Sequence, residues 1–216
     1  MKIKTLGVMS FAKTTFIAGE KTDADWRLLR PRLLQNEVKA WNEAFAEYFE
    51  KRLDLRYLHP IKILQEHDTS QGEGFSILAI QCSLIEFLES TAQGKNYRFL
   101  PRGQAPGLHE YSSSQEVFVS FLRDRVPFSR TFDDASARHF YASVRCGLLH
   151  EARTKNGWRI HANGPAGVVA NVKESIVYRN NFHSALLEYI KQFGELLQAD
   201  ALLQQAFIRK FDDLCI

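Results

Sequence analysis

The chain has 216 residues, enough for one sizeable hydrophobic core, with 45% hydrophobic and 25% charged residues as in ordinary globular proteins. A formal net charge of +3 permits a nucleic-acid partner but lacks the strongly basic balance of a dedicated binder. Three widely spaced cysteines, Cys82, Cys146 and Cys215, exclude a disulfide framework and a cysteine metal site, and point to a reducing, cytoplasmic setting.

Met1 to Lys13 has a faint leader-like look, but Lys13 interrupts the apolar run and no small-x-small cleavage site follows cleanly. Nothing in the chain approaches eighteen consecutive apolar residues, so no membrane span or membrane partner is expected. Residues up to about 32 are mixed and end in the basic run Trp26 to Arg32. Val38, Trp41, Phe45, Phe49 and Leu53 then recur at helical spacing, and Pro60 opens a shorter helix through Leu64. His67 to Gly74 reads as a polar loop. Phe75 to Ala92 is apolar nearly all round, which assigns it to the centre of a bundle.

Gly94 to Ser112 is rich in Gly and Pro and reads as a loop. A helix from Ser114 to about Arg125 follows, with capping hydroxyls at Ser112 to Ser114. Asp133 or Asp134 caps the next helix, whose stripe is Ala137, Phe140, Tyr141, Val144 and Leu148, ending near Ala152. The period then shortens: 158–162, 168–172 and 175–179 read as strands after the turn at Asn156-Gly157. A helix from Asn181 to Leu197 and another capped by Asp200 complete the chain. The fold class is mainly α, a helical bundle with a small β-hairpin or meander insertion near residues 157-179. It is read as a single domain, 1-216, in which an N-terminal helical extension (1-72) precedes the bundle (73-216).

One spacing carries chemistry. An arginine separated from a following histidine by four to six residues occurs three times: Arg52 to His59, Arg102 to His109 and Arg145 to His150. With sixteen arginines and seven histidines, about one or two such pairs arise by chance. Only Arg145 and His150 fall at the C-terminal end of a long, well-patterned helix. Histidine transfers protons near neutral pH, and arginine holds phosphoryl oxygens. Five residues of helix separate the two side chains by about 140°, so they do not share a face. Arg145 aligns with Tyr141, and His150 with Cys146. Two readings stay open: a catalytic pair, or an arginine lying along the surface and a histidine capping the last turn.

The stretch Val144-Arg-Cys-Gly-Leu-Leu-His-Glu151 resembles the signature of the HEPN-domain ribonucleases, Arg-x4–6-His at the end of a bundle helix. The apolar helix Gly74 to Glu86 is similar to the helix packed behind that motif, and the likeness spans residues 73 to 197. The resemblance implies a HEPN-like fold and an endoribonuclease without metal or other cofactor. It also implies a homodimer in which Arg145 and His150 of two protomers build one composite site. Cys146 departs from the polar residue, often asparagine, that many active members carry after the arginine. A role as a toxin or antiviral defence effector follows from the same likeness, with a cognate antitoxin or regulatory protein as partner.

Around this pair, Arg138, Arg153, Lys155, Trp158 and Arg159 are the RNA-binding candidates, with Lys173, Tyr178 and Arg179 nearby. Cations suit phosphates and rings suit bases of a single strand. The bland alternative is a solvated hairpin with Trp158 and Tyr178 packed on the bundle. Glu86, a carboxylate in an apolar setting, is expected to reach solvent or pair with an arginine. Isolated histidines such as His161 and His183 have no partner at metal-binding spacing, so no metal is assigned. The rival functions are a non-catalytic nucleic-acid-binding or regulatory helical protein, and a structural interaction module.

Overall fold

The computed structural model describes residues 14–69 and 71–216, so the reading of Met1 to Lys13 lies outside the described residues. Among the described residues there are seven helices and three small sheets. A hairpin of β1 (Phe16–Ala18) and β2 (Lys21–Thr22) leads into α1 (Asp23–Leu34). Thr22 and Asp25 form a capping box: the Asp25 N–H donates to Thr22 Oγ1, and the Thr22 N–H donates to the Asp25 carboxylate. The basic run, read from sequence only as the end of a mixed stretch, is therefore helical. Trp26, Leu29 and Leu33 lie on one buried face of α1, and that burial outweighs the cost of Pro31 inside the helix.

Helix α2 covers 38–66 without interruption. Two stretches, Ala44–Glu50 and Asp54–Leu58, have wide turns in which Lys51 N–H donates to Ala46 O and His59 N–H to Asp54 O. The second wide turn opens the ladder just before Pro60, whose ring would otherwise clash with the carbonyl four residues back. That is why Pro60 does not begin a separate helix.

Helix α3 (Glu73–Gln93) is the central element, with α4 (Ser114–Asp124) and α7 (Ala201–Asp213) packed against it. It is the one described helix long and apolar enough to cross a membrane, but 56% of that stretch is buried inside the fold. Gly94 ends α3 at φ +62°, where a Cβ would lie 2.6 Å from Ala206 Cα, so both conformation and space require glycine. The following segment contains a short parallel pairing of β3 (Asn96–Tyr97) with β4 (Glu110–Tyr111).

Helix α5 covers 134–151, capped by Asp133 and Ser136, and its middle stretch Tyr141–Arg145 is again wide. Three strands follow, β5 (Arg159–His161), β6 (Ala170–Asn171) and β7 (Ile176–Tyr178), with β7 central, parallel to β5 and antiparallel to β6. Helix α6 (Arg179–Leu197) then leads to α7, where Asp200 accepts from Leu202 N–H and Leu203 N–H.

The core is one contiguous cluster in which aromatic rings interlock. Phe49 of α2 stacks on Phe193 of α6 at 4.8 Å, and Phe207 of α7 stacks on Phe211 at 4.4 Å beside Trp26. Phe140 of α5 stacks on Phe182 of α6 at 5.9 Å. Trp26, Trp41 and Phe49 belong to this cluster, and Trp26 Nε1 donates to Asp212 of α7 at 2.8 Å. The described part of residues 14–72 is thus built into the same core as the rest. Glu89 of α3, 1% exposed, is held by a bidentate Arg125 at 2.8 and 3.0 Å, which ties α3 to the end of α4.

Candidate functional site

The site is assembled where the C-terminal half of α5 faces α3. The wide turn sends Cys146 N–H to Tyr141 O, five residues back, and leaves Arg145 at the junction with the regular last stretch, Cys146–Glu151. Arg145 is half-buried, its side chain 17% exposed, and points toward α3, where Nη2 donates to Glu86 Oε2 at 3.2 Å. Its guanidinium also lies 5.3 Å from the centre of the Tyr141 ring, the neighbour expected from four-residue spacing. Burial works against the charge on Arg145, but Tyr141 and Glu86 more than offset it, so the proton is held more tightly than in free arginine. The expectation that Glu86 pairs with an arginine is met.

These groups form one wall of an open cleft of about 420 Å³, lined also by Tyr97, Ser112, Ser113 and Ser114. Glu86 Oε1 accepts from Tyr111 OH at 3.2 Å, and Ser114 Oγ shares a 2.9 Å hydrogen bond with Tyr141 OH. Burial pushes the Tyr111 and Tyr141 hydroxyls above the ordinary phenol range, so both remain protonated and able to donate near neutral pH. Ser114 therefore serves the cleft rather than the cap of α4, where no serine side chain caps the helix.

His150 lies on the last turn of α5 and is exposed, beside the half-exposed Leu149. Five residues of regular helix place it about 7.5 Å beyond Arg145 along the axis. Among the described residues no hydrogen bond joins the two, or holds the His150 ring. Gly147, between them, lies where the chain packs too closely for a side chain. A Cβ there would lie 2.4 Å from Arg153 O, because the returning chain runs tightly along α5, with Lys155 N–H donating to Ser143 O at 2.8 Å.

The other two arginine–histidine spacings fall in different settings. Arg52 is turned inward, with Nη1 donating to Ile17 O at 2.5 Å and the guanidinium over Phe87. Arg102 and His109 are both exposed in the segment between β3 and β4.

The RNA-binding candidates divide by exposure. Arg153 and Lys155 both pair with Glu151, at 3.0 and 2.5 Å, and remain at the surface just past His150. Arg159 is exposed on β5, with Nη2 donating to Glu174 O at 3.3 Å, and Lys173 is exposed nearby. Arg138 is engaged by Glu116 and Asp134, so its charge is largely balanced. Trp158 requires a correction: it is 3% exposed, edge-on to Phe140 at 5.1 Å, with Nε1 donating to His139 Nδ1. Burying its indole in the bundle leaves no ring face for a base. Tyr178 and Arg179 are also buried, and Arg179 is paired with Asp68.

Tyr97 and Tyr111 escaped the sequence reading, because a two-residue parallel pairing across a Gly- and Pro-rich segment leaves no periodic trace. Among the described residues, no three His, Cys, Asp or Glu side chains converge as metal ligands. No protein-family model, no curated protein and no solved structure matches the chain.

Proposed function

We propose that the chain is a metal-independent RNA endonuclease of the HEPN type that acts as a homodimer. The observation that carries this reading is the end of α5, where Arg145 is clamped by Glu86 and the Tyr141 ring at the edge of an open cleft. One and a half turns further on, His150 is exposed and unengaged among the described residues. A guanidinium held in place before substrate arrives stabilises developing phosphoryl charge without reorganisation. An exposed imidazole on the same helix end is free to exchange protons with a ribose hydroxyl or leaving oxygen.

In this reaction the ribose 2′-oxygen attacks the adjacent phosphorus, its proton passes to one His150 imidazole, and the 5′-oxygen leaves after receiving a proton from a second, protonated His150 imidazole of the dimer. The products are a 2′,3′-cyclic phosphate and a 5′-hydroxyl. Arg145 holds the non-bridging oxygens. Because the two side chains point to different faces of α5, a two-fold related copy supplies the convergence that a single protomer lacks. Arg153, Lys155 and Arg159, at the surface beside this end, extend the path for phosphates. A toxin or defence role, with a cognate antitoxin or regulatory partner in the cytoplasm, belongs to the same proposal.

The rival reading, a non-catalytic nucleic-acid-binding or regulatory protein, draws on the Glu86–Arg145 ion pair, which gives the arginine a structural task of its own. Labelled single-stranded RNA incubated in EDTA separates the two. The native protein is expected to cut it, while Arg145→Ala and His150→Ala each reduce the rate at least a hundredfold. Binding without cleavage, unchanged by His150→Ala, would support the rival.

A further inference from the structure

The cleft before Arg145 has more structure than a phosphate needs. Its volume of about 420 Å³ falls within the roughly 300–1,000 Å³ range of sites that enclose a small ligand. One wall is Tyr97, 51% exposed although its backbone is firmly placed. Asn96 N–H donates to His109 O and Arg98 N–H to Tyr111 O, both at 2.9 Å, on either side of it. Arg98 further anchors the segment to Glu110 and to Asp213 of α7. The Tyr97 ring meets Tyr111 edge-on, with centres 5.7 Å apart. A half-open ring on a fixed backbone beside a guanidinium is a platform for a flat, unpaired base.

Glu86 then decides which base. Its carboxylate receives one hydrogen bond from Arg145 and one from Tyr111, whereas a carboxylate accommodates about four. Two acceptor positions therefore remain on a group that cannot donate. Guanine alone among the four bases presents two adjacent donors, N1–H and the N2 amino group, on its Watson–Crick edge. Adenine and cytosine set one amino group beside an acceptor, and uracil flanks one N–H with two carbonyls. All three would place an acceptor against the carboxylate.

We propose that this cleft is a guanine subsite, which stacks the base on Tyr97 and reads its donor edge with Glu86. It rests on the endonuclease reading only in making this guanine the neighbour of the scissile phosphate. The test titrates the native protein with guanosine, adenosine, cytidine and uridine 5′-monophosphates, and in parallel maps cleavage on single-stranded RNA of random sequence. Guanosine monophosphate is expected to bind at least tenfold more tightly than uridine monophosphate. Tyr97→Ala is expected to weaken it about tenfold, while Tyr97→Phe leaves it unchanged, because stacking needs the ring and not the hydroxyl. Circular dichroism is expected to show both variants folded, as the side chain is half exposed. Equal binding of all four nucleotides, or no effect of Tyr97→Ala, would overturn the subsite. Cleavage without base preference would remove the subsite and leave the nuclease. Guanosine monophosphate bound through Tyr97, with no RNA cut, would remove the nuclease and keep the subsite.

Discussion

Individual residues in this protein are placed by opposing demands of burial and charge, and Lys210 shows the balance most clearly. It is 7% exposed, with Nζ donating to Lys95 O and lying over Phe87. Burial lowers its ammonium from 10.5 to about 8. A lysine that binds its proton less tightly when folded weakens the fold below pH 8, and the penalty fades as pH rises toward 10.5. Lys210→Met is therefore expected to raise stability at pH 7 by ~1–3 kcal/mol. Urea denaturation should show that advantage shrinking between pH 8 and 10.5; an advantage independent of pH would assign it to packing instead. Glu89 is also buried, and its carboxylate is satisfied by Arg125. Arg125→Ala is expected to cost about 3 kcal/mol by stranding the charge, whereas Glu89→Leu with Arg125→Met together should cost far less.

Among the elements, α5 carries the most consequence, because its wide middle turn and tight last turn together aim Arg145 inward and His150 outward. Gly147→Ala would drive a methyl group into Arg153 O and is expected to cost ~1–3 kcal/mol. Thermal unfolding measures the loss, and faster proteolysis after Arg153 would locate it; an unchanged melting temperature would mean that the returning chain yields freely. This helix was largely legible in the sequence, since Asp133 caps it and Ala137, Phe140, Val144 and Leu148 are buried as their spacing requires. So were the apolar α3, the positions of the three short strands and the cap at Asp200, but not the strand pairing, since β5 pairs in parallel with β7 and the insertion is therefore not the expected hairpin or meander. Helix α1 was not, because Pro31 and three arginines mask an apolar buried face of only Trp26, Leu29 and Leu33. The unbroken α2 was hidden by Pro60, whose conflict with the helix is relieved by a wide turn that composition does not reveal. In the site, helical spacing aligned Arg145 with Tyr141, and the apolar setting of Glu86 called for solvent or an unspecified arginine, which the fold supplies as Arg145. Tyr97 and the burial of Trp158 depend on long-range packing, to which local pattern is blind.

For the molecule as a whole, the proposal requires two copies. The segment that carries Tyr97 and the end of α5 show apolar side chains to solvent, Tyr97 at 51%, Phe99 and Leu108 at 86%, and Leu149 at 47%. Sedimentation equilibrium is expected to give twice the mass of the chain, and a strict monomer at micromolar concentration would remove the composite site. The most direct measurement of the chemistry uses a single RNA in which the ribose on the 5′ side of the mapped cut is replaced by 2′-deoxyribose. The strand with ribose throughout is expected to be cut to a 2′,3′-cyclic phosphate, and the modified strand to stay intact at that position. Cleavage at the deoxy position, or an all-ribose strand left whole, would contradict an Arg145 and His150 transesterification.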